Sequence, residues 1–249
     1  MTKQGIFLSV VIPAYNEADN FKSGVLGPVV DYLASQKYIW EVILVDDGSI
    51  DNTPALLASF CEQNPGFKLM RIEHGGKATA VTAGMLAARG EIILFTDFDQ
   101  STPISEVSKF IDHHQDGADV VISYRAIRRD TLMARIRGWV FIALVQAVAL
   151  RGIKDSQCGF KSFTHSAANR VFSLLLVSQP AGKISGGYMG AFDVEVLFLA
   201  RRLGYRIDQV PVRWVKYESN RLNIWTEPVR MAFDTCKVRL YGILGKYEI

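Results

Sequence analysis

Four short apolar segments, each followed by a stretch of helical character, organise the first half of this 249-residue chain. They lie at residues 6–12, 40–45, 67–72 and 91–96. Strands that alternate with helices favour a parallel sheet with right-handed crossovers, because the crossover helices cover the faces of the sheet. The sequence therefore predicts an α/β fold with a mostly parallel sheet flanked by helices.

Polar residues cluster where three of these segments end, at residues 13–17, 46–49 and 97–101. The carboxyl ends of parallel strands share one edge of a sheet, and ligands bind outside that edge. Any one cluster is compatible with an ordinary loop. Three clusters that converge on the same edge predict a binding site.

Asp97 and Asp99 stand one residue apart directly after the fourth apolar segment. If the strand continued through them, both carboxylates would point to the same face. Two hard oxygen ligands suit Mg²⁺ or Mn²⁺, which bridge carboxylates to substrate phosphates. The alternative is a solvated turn, since aspartate favours turns. We prefer the metal site.

Lys77 lies at the start of a predicted helix, after a pair of glycines. A Walker phosphate loop is excluded, because that motif requires Gly at position 71 and Ser or Thr at 78, where this chain has Arg71 and Ala78. Lys77 is still suited to meet a diphosphate beside free backbone N–H groups. The alternative is an ordinary surface lysine.

Charge is distributed unevenly, although the net charge is only +3. Residues 1–100 contain seven basic and twelve acidic residues, whereas residues 125–154 contain seven basic residues and one acidic residue. Residues 201–249 contain ten basic and five acidic residues. The acidic first half suits a bound cation, and the basic segments suit phosphates or an anionic surface.

Two segments are candidates for contact with a membrane. Residues 138–150 are largely apolar and flanked by arginines, but they are too few to span a bilayer. They predict either a buried helix or a helix in the membrane interface. Residues 224–241 predict a basic amphipathic helix that packs on the domain or binds the membrane. We therefore divide the chain into a main domain, 1–220, and a C-terminal amphipathic helical extension, 221–249.

The compartment is predicted from what the sequence does not contain. The three cysteines are widely spaced and form no disulfide or metal framework, which fits a reducing environment. The N-terminal residues have no signal-peptide pattern, and no apolar stretch reaches the length of a spanning helix. We expect a cytoplasmic protein, peripheral on the cytoplasmic membrane face, with no nucleic-acid partner.

The second half contains further predicted elements. Residues 155–161 form a polar turn in which Cys158 is expected to be a small buried residue rather than a nucleophile. Residues 191–200 predict a helix whose early acids, Asp193 and Glu195, complement the helix dipole. Residues 206–215 alternate like a strand, and Pro211 indicates the edge of the sheet.

Residues 11–17, residues 45–49 and the Asp97-x-Asp99 motif resemble the inverting family 2 glycosyltransferases. Residues 155–161, 192–195 and 219–222 resemble more specifically the dolichyl-phosphate glucosyltransferases and their mannose-synthase relatives. The resemblance implies a GT-A-type, Rossmann-like fold. It also implies transfer of a hexose from a nucleotide sugar, a UDP- or GDP-hexose, to a polyprenyl phosphate lipid, with Mg²⁺ or Mn²⁺ as cofactor.

The resemblance also implies roles for individual residues. Asp97 and Asp99 match the metal site, and Asp155 joins them in the catalytic set, as a base or as a group that orients its neighbours. Arg125 and Arg135 match positions that face the acceptor phosphate. The implied nucleotide-sugar-binding residues are Pro13, Ala14, Tyr15, Glu17, Asp46, Asp47, Lys77, Asp97 and Phe98.

The chemistry leaves two classes of acceptor open. A phosphate monoester is already anionic at neutral pH, since its second pKa is roughly 6, so it needs positive charge more than a general base. The arginines in residues 125–137 suit that acceptor. A soluble or polymeric glycan acceptor is the alternative, and its hydroxyl would require an aspartate base. A non-catalytic protein that binds nucleotide sugars is disfavoured by the intact Asp97 and Asp99.

Overall fold

One seven-stranded sheet forms the centre of this computed structural model, which describes residues 5–125, 143, 145–178, 191–215 and 227–249. A short 3₁₀ helix, Ile104–Glu106, precedes the α-helix that begins at Val107. The strands are β1 (Leu8–Ala14), β2 (Trp40–Asp47), β3 (Phe67–Ile72), β4 (Ile92–Phe95), β5 (Val120–Arg125), β6 (Lys161–Thr164) and β7 (Ile207–Val212). The helices are α1 (Ala18–Lys22), α2 (Gly27–Ala34), α3 (Thr53–Gln63), α4 (Lys77–Ala87), α5 (Val107–Gln115), α6 (His165–Phe172), α7 (Phe192–Arg202) and α8 (Glu227–Ile243).

The strand order is β3-β2-β1-β4-β6-β5-β7. Neighbouring strands are parallel except around β6, which is antiparallel to both β4 and β5. The predicted mostly parallel α/β sheet is confirmed. β6 is not predicted from the sequence, because this strand has only four residues and begins at the last residue of the polar turn at residues 155–161.

Both faces of the sheet are covered, which explains why the central strands β1, β2 and β4 are buried along almost their whole length. Along β1, Val10 and Ile12 point into one core layer with residues of α2, α3 and α5, whereas Val11 points into the opposite layer. That second layer contains residues of α4, α6 and α7, together with Val238 of α8. The two layers leave the carboxyl edge of the parallel strands as the place where polar loops collect.

Several smaller predictions can be compared with the structure. β7 lies at the edge of the sheet with Pro211 exposed, and Cys158 is buried, as predicted. The predicted C-terminal helix is confirmed with slightly different bounds, since α8 spans Glu227–Ile243. The proposed domain boundary after residue 220 falls in 216–226, outside the described residues, and stays a prediction. Of the 138–150 segment, residues 138–142 and 144 also lie outside them, whereas Val145 and Leu150 are buried in the core.

No helix in the described ranges combines the length and the apolar character that crossing a bilayer requires.

Gly84 provides a test of the packing between α4 and the sheet. A Cβ at this position would lie 2.3 Å from Cγ1 of Val11 and 2.9 Å from Cγ2 of Val45. We expect Gly84→Ala to lower the free energy of unfolding by roughly 1–3 kcal/mol, measured by urea denaturation, because the strand side chains cannot move aside. Gly27→Ala is the matched control, since Gly27 is also helical but faces open space. Equal stability of the two variants would contradict the packing.

Candidate active site

The loops that follow β1 and β2 are joined by hydrogen bonds into one unit. Asn16 Oδ1 accepts a hydrogen bond from the N–H of Ile50 at 2.9 Å, and the N–H of Asn16 donates to Ser49 Oγ at 2.9 Å. The N–H of Glu17 donates to Thr53 Oγ1 at 2.7 Å, where α3 begins. The two clusters that the sequence placed at the same edge of the sheet are therefore in direct contact.

Asp46 is the most deeply buried acid of this unit. Pro13 and Ala14 end β1, and Ala14 is aligned with Asp46 of the neighbouring strand. Asp46 Oδ1 accepts a hydrogen bond from the N–H of Ser49 at 3.2 Å. Its Oδ2 is buried without a hydrogen-bond partner in the described part of the chain, although Arg71 Nε lies 3.5 Å away. A buried acceptor of this kind suits a donor group on a ligand.

Asp47 supports the loop that leads into α4. Its carboxylate accepts hydrogen bonds from the N–H groups of Gly75 and Gly76 at 2.8 and 2.9 Å, and it lies 2.9 Å from His74 Nδ1. Burial raises the pKa of Asp47 above the ordinary value, although these contacts partly oppose the rise. The imidazole of His74 stacks on Tyr15, with ring centroids 4.2 Å apart. Asp47 thus helps to place Tyr15 through His74.

Asp97 and Asp99 lie in a turn after β4 and do not continue the strand, which ends two residues before Asp97. Asp99 Oδ1 accepts a hydrogen bond from the N–H of Ser101 at 2.9 Å. The side chain of Asp97 is 36% exposed, so it is accessible to solvent at the carboxyl edge of the sheet, the region that we call the cleft. Phe98, between the two acids, points the other way and is buried in the core. The turn therefore directs the two acids away from the core and Phe98 into it.

Lys77, the first residue of α4, forms an ion pair with Asp97. Burial by itself lowers the pKa of Lys77, but the carboxylates of Asp97 and Asp193 are the chief cause of a net rise above the ordinary lysine value. Asp99 adds to this effect. The side chain is therefore a stable cation next to the two acids. The structure thus brings Lys77, at the start of α4, together with Asp97 and Asp99, in the turn after β4.

The chemistry of this group fits a divalent cation. The two acids offer hard carboxylate oxygens, which Mg²⁺ and Mn²⁺ prefer. In the part of the chain that the structure describes, no group of three or more His, Cys, Asp or Glu side chains is arranged to hold a metal ion. A cation held by Asp97 and Asp99 would thus take its other ligands from water or from a phosphate, as Mg²⁺ usually does.

Arg125 and Asp155 form a two-pronged ion pair on the other side of the cleft. Arg125 Nε donates to Asp155 Oδ2 at 2.7 Å, and Nη2 donates to Oδ1 at 3.1 Å. The guanidinium also lies over the ring of Trp214, 5.3 Å from its centroid. Asp155 is buried and therefore fixes the plane of the guanidinium. Arg135, the second predicted acceptor residue, lies outside the described residues.

Gly159 joins the two sides of the cleft. It belongs to the loop that starts at Asp155 and runs into β6. A Cβ at position 159 would lie 2.0 Å from Asp97 Oδ2, so no side chain fits here. The loop therefore holds Arg125 at one end and supports Asp97 at the other.

The partners of two buried acids are not predicted from the sequence. Asp193 Oδ1 lies 2.5 Å from Lys161 Nζ, and both side chains are almost completely buried. Glu195 accepts hydrogen bonds from the three N–H groups of residues 176–178 and from the hydroxyl of Tyr247. The sequence contained a signal, because acids within the otherwise apolar helix of residues 192–200 require buried partners.

Comparison with known proteins identifies the family. Residues 9–173 match the family described as Glycosyl transferase family 2. Dolichyl-phosphate beta-glucosyltransferase of Dictyostelium discoideum is 31% identical, over 98% of this chain and 77% of that protein. The enzyme of the same name from Homo sapiens is 30% identical, over 100% of this chain and 78% of that protein.

Solved structures share the fold at lower identity. Glucosyl-3-phosphoglycerate synthase from Mycobacterium tuberculosis, in complex with Mn²⁺, UDP and glucosyl-3-phosphoglycerate, is 21% identical with a TM-score of 0.59, over 99% of this chain and 82% of that one. Mannosyltransferase PcManGT from Pyrobaculum calidifontis, in complex with GDP-Man and Mn²⁺, is 18% identical with a TM-score of 0.55, over 98% and 75%. The fold is thus that of the GT-A glycosyltransferases, and the chain is a glycosyltransferase that belongs to family 2.

Proposed function

We propose that this enzyme transfers a hexose, with inversion, from a UDP- or GDP-hexose to a polyprenyl phosphate of the dolichyl type. The names of the relatives that match nearly the whole chain support the lipid phosphate acceptor. The nucleotides and Mn²⁺ in the solved complexes of the same fold support a nucleotide-sugar donor and a divalent cation.

The contact between Gly159 and Asp97 is the observation that carries the proposal. This contact places the end of β4, with Asp97, against the loop that holds Arg125 through Asp155. A donor at the first group and an acceptor at the second would meet in one cleft. Transfer between two bound substrates depends on this kind of proximity.

On the donor side, different residues would bind different parts of the nucleotide sugar. The buried Oδ2 of Asp46 would accept a hydrogen bond from the base or the ribose. Tyr15, Pro13, Ala14 and Glu17 would complete this part of the site. Lys77 would meet the diphosphate, and Asp97 and Asp99 would hold Mg²⁺ or Mn²⁺. When bound, the cation would offset the negative charge that develops on the departing nucleoside diphosphate.

On the acceptor side, positive charge replaces a general base. A lipid phosphate needs no deprotonation at neutral pH, so a fixed guanidinium is the more useful group. Both carboxylate oxygens of Asp155 are engaged by Arg125, which favours an orienting role for Asp155. We assign Arg125, together with Arg135, to the acceptor phosphate.

Helix α8 suits peripheral contact with a membrane. Apolar side chains on it are exposed, including Phe233 (73%), Leu240 and Ile243. Basic side chains of the same helix, among them Lys237 and Arg239, are also exposed. Exposed apolar groups beside basic groups favour the interface of an anionic bilayer.

The acceptor assignment is tested by steady-state kinetics with a polyprenyl phosphate and with the matching alcohol. Arg125→Ala and Arg135→Ala should each cost roughly 1.5–3 kcal/mol in kcat/KM for the phosphate, because a charged hydrogen bond is lost. Arg125→Lys should recover only part of the lost kcat/KM, because lysine keeps the positive charge but lacks the planar pair of donors of the guanidinium. Arg89→Ala is the control at the opposite edge of the sheet. Glycosylation of the alcohol at a comparable rate would instead favour a hydroxyl acceptor with Asp155 as base.

The metal assignment is tested by calorimetry of UDP and GDP with and without Mn²⁺. Asp97→Asn and Asp99→Asn should each weaken the metal-dependent part of nucleotide binding, because a carboxamide loses the charge that attracts a hard cation. Asp31→Asn, on the exposed face of α2, is the control and should bind like the wild type. Binding that is independent of Mn²⁺ in all proteins would refute the assignment.

Membrane contact is tested by sedimentation with anionic vesicles. The wild type should bind at low salt and dissociate as salt rises, because salt screens the charges. Phe233→Ser with Leu240→Ser should reduce binding several-fold, whereas Ile39→Ser, at another exposed apolar position, should not. If the wild type stays in the supernatant at low salt, α8 is not a membrane helix.

A further inference from the structure

A buried ion pair lies directly beneath the cleft. Lys161 is the first residue of β6, where it is aligned with Phe95 at the end of β4. Its Nζ lies 2.5 Å from Oδ1 of Asp193, in the first turn of α7, and both side chains are almost completely buried. The pair therefore links the strand next to β4 with a helix on one face of the sheet.

Stability alone does not explain this pair. Removing two charges from water has a large free-energy cost, and replacing a buried pair by apolar residues is often neutral or stabilising. An aspartate that only complements the dipole of α7 would need neither full burial nor a lysine partner. Buried charges without a stability rationale suggest a role in the geometry of the site.

The contacts of Lys161 lead to Asp97. Lys161 Nζ donates a second hydrogen bond, to the carbonyl of Cys158 at 2.6 Å. The next residue, Gly159, is the one whose backbone approaches Asp97 so closely that a Cβ would overlap the carboxylate. The carbonyl of the following residue, Phe160, accepts a hydrogen bond from Ser123 Oγ at 2.7 Å. The peptide that supports Asp97 is thus held on both sides.

We propose that Lys161 and Asp193 are positioning residues that hold the 158–159 peptide against the carboxylate of Asp97. Asp193 fixes the ammonium of Lys161, the ammonium fixes the carbonyl of Cys158, and Gly159 then limits where Asp97 can lie. The same loop begins at Asp155, so the Lys161–Asp193 pair also helps to hold Asp155, which forms the ion pair with Arg125. This inference rests on the proposed function, because it assigns Asp97 to the metal–nucleotide complex.

The test compares single and double variants. Lys161→Met or Asp193→Ala alone leaves one uncompensated buried charge, so both single variants are expected to lose stability. The double variant Lys161→Met/Asp193→Ala removes both charges together and keeps the interior neutral. The control is Glu41→Ala/Lys68→Met. It removes a different ion pair, 2.8 Å apart and only partly buried, at the amino end of β2 and β3.

Three quantities are measured for each protein: the Tm, the affinity for UDP or GDP with Mn²⁺ by calorimetry, and kcat and KM for transfer. The nucleotide that the wild type binds more tightly is the probe. For the double variant we expect a Tm near that of the wild type and a roughly 10–100-fold loss of metal-dependent nucleotide affinity, as for other residues that orient a metal ligand. The single variant Asp193→Glu, which keeps the carboxylate, should bind the nucleotide more tightly than Asp193→Ala. The control Glu41→Ala/Lys68→Met should keep the wild-type affinity.

A double variant that binds the metal–nucleotide complex like the wild type would overturn the inference, because the pair would then be structural only. An equal loss in the control would also overturn it, since the effect would then follow from destabilisation. If the wild type binds the nucleotide with Mn²⁺ but does not glycosylate a polyprenyl phosphate, the proposed acceptor fails. In that case the loss of affinity in the double variant would still support the positioning pair.

Discussion

The carboxylate of Asp97 is the point on which the two sides of the cleft depend. On one side it pairs with Lys77 at the start of α4, and on the other it rests against the backbone of Gly159. It also follows β4, and the order of the strands reverses between β1 and β4, because β2 and β3 lie on one side of β1 and β4 lies on the other. Ligand sites of open α/β sheets form where the order of the strands reverses, because the loops diverge there and leave a crevice.

Buried charges are concentrated at this edge, and most of them are satisfied. Asp47, Asp155 and Asp193 each accept hydrogen bonds or pair with a cation. Such groups contribute little to net stability, because their desolvation offsets much of the attraction. They do restrict the loops to one arrangement, since any other arrangement would leave a buried charge without its partner. Asp46 differs, because one of its oxygens has no hydrogen-bond partner among the described residues.

Particular residues illustrate how far the sequence could predict the site. Asp97, Asp99 and Lys77 were predicted from strand ends and a helix start, and the fold brings them together. Asp47 was grouped with the binding residues, but its carboxylate holds the 74–76 loop. Phe98 points into the core, because β4 ends early and the chain turns there. The position of each residue was predictable, but the direction of its side chain depended on the local turn.

The sequence by itself determined the alternation of strands and helices in the first half of the chain, the edge of the sheet that collects polar loops, and the family. These features follow from local patterns, since apolar periodicity and strand-end motifs depend on neighbouring residues. Only the tertiary structure decided that Asp155 pairs with Arg125, that Lys161 pairs with Asp193, and that Gly159 supports Asp97. Each of these contacts joins segments that are 30 or more residues apart. Which partner a buried charge pairs with depends on how distant segments pack in three dimensions, and a local sequence pattern does not encode that packing.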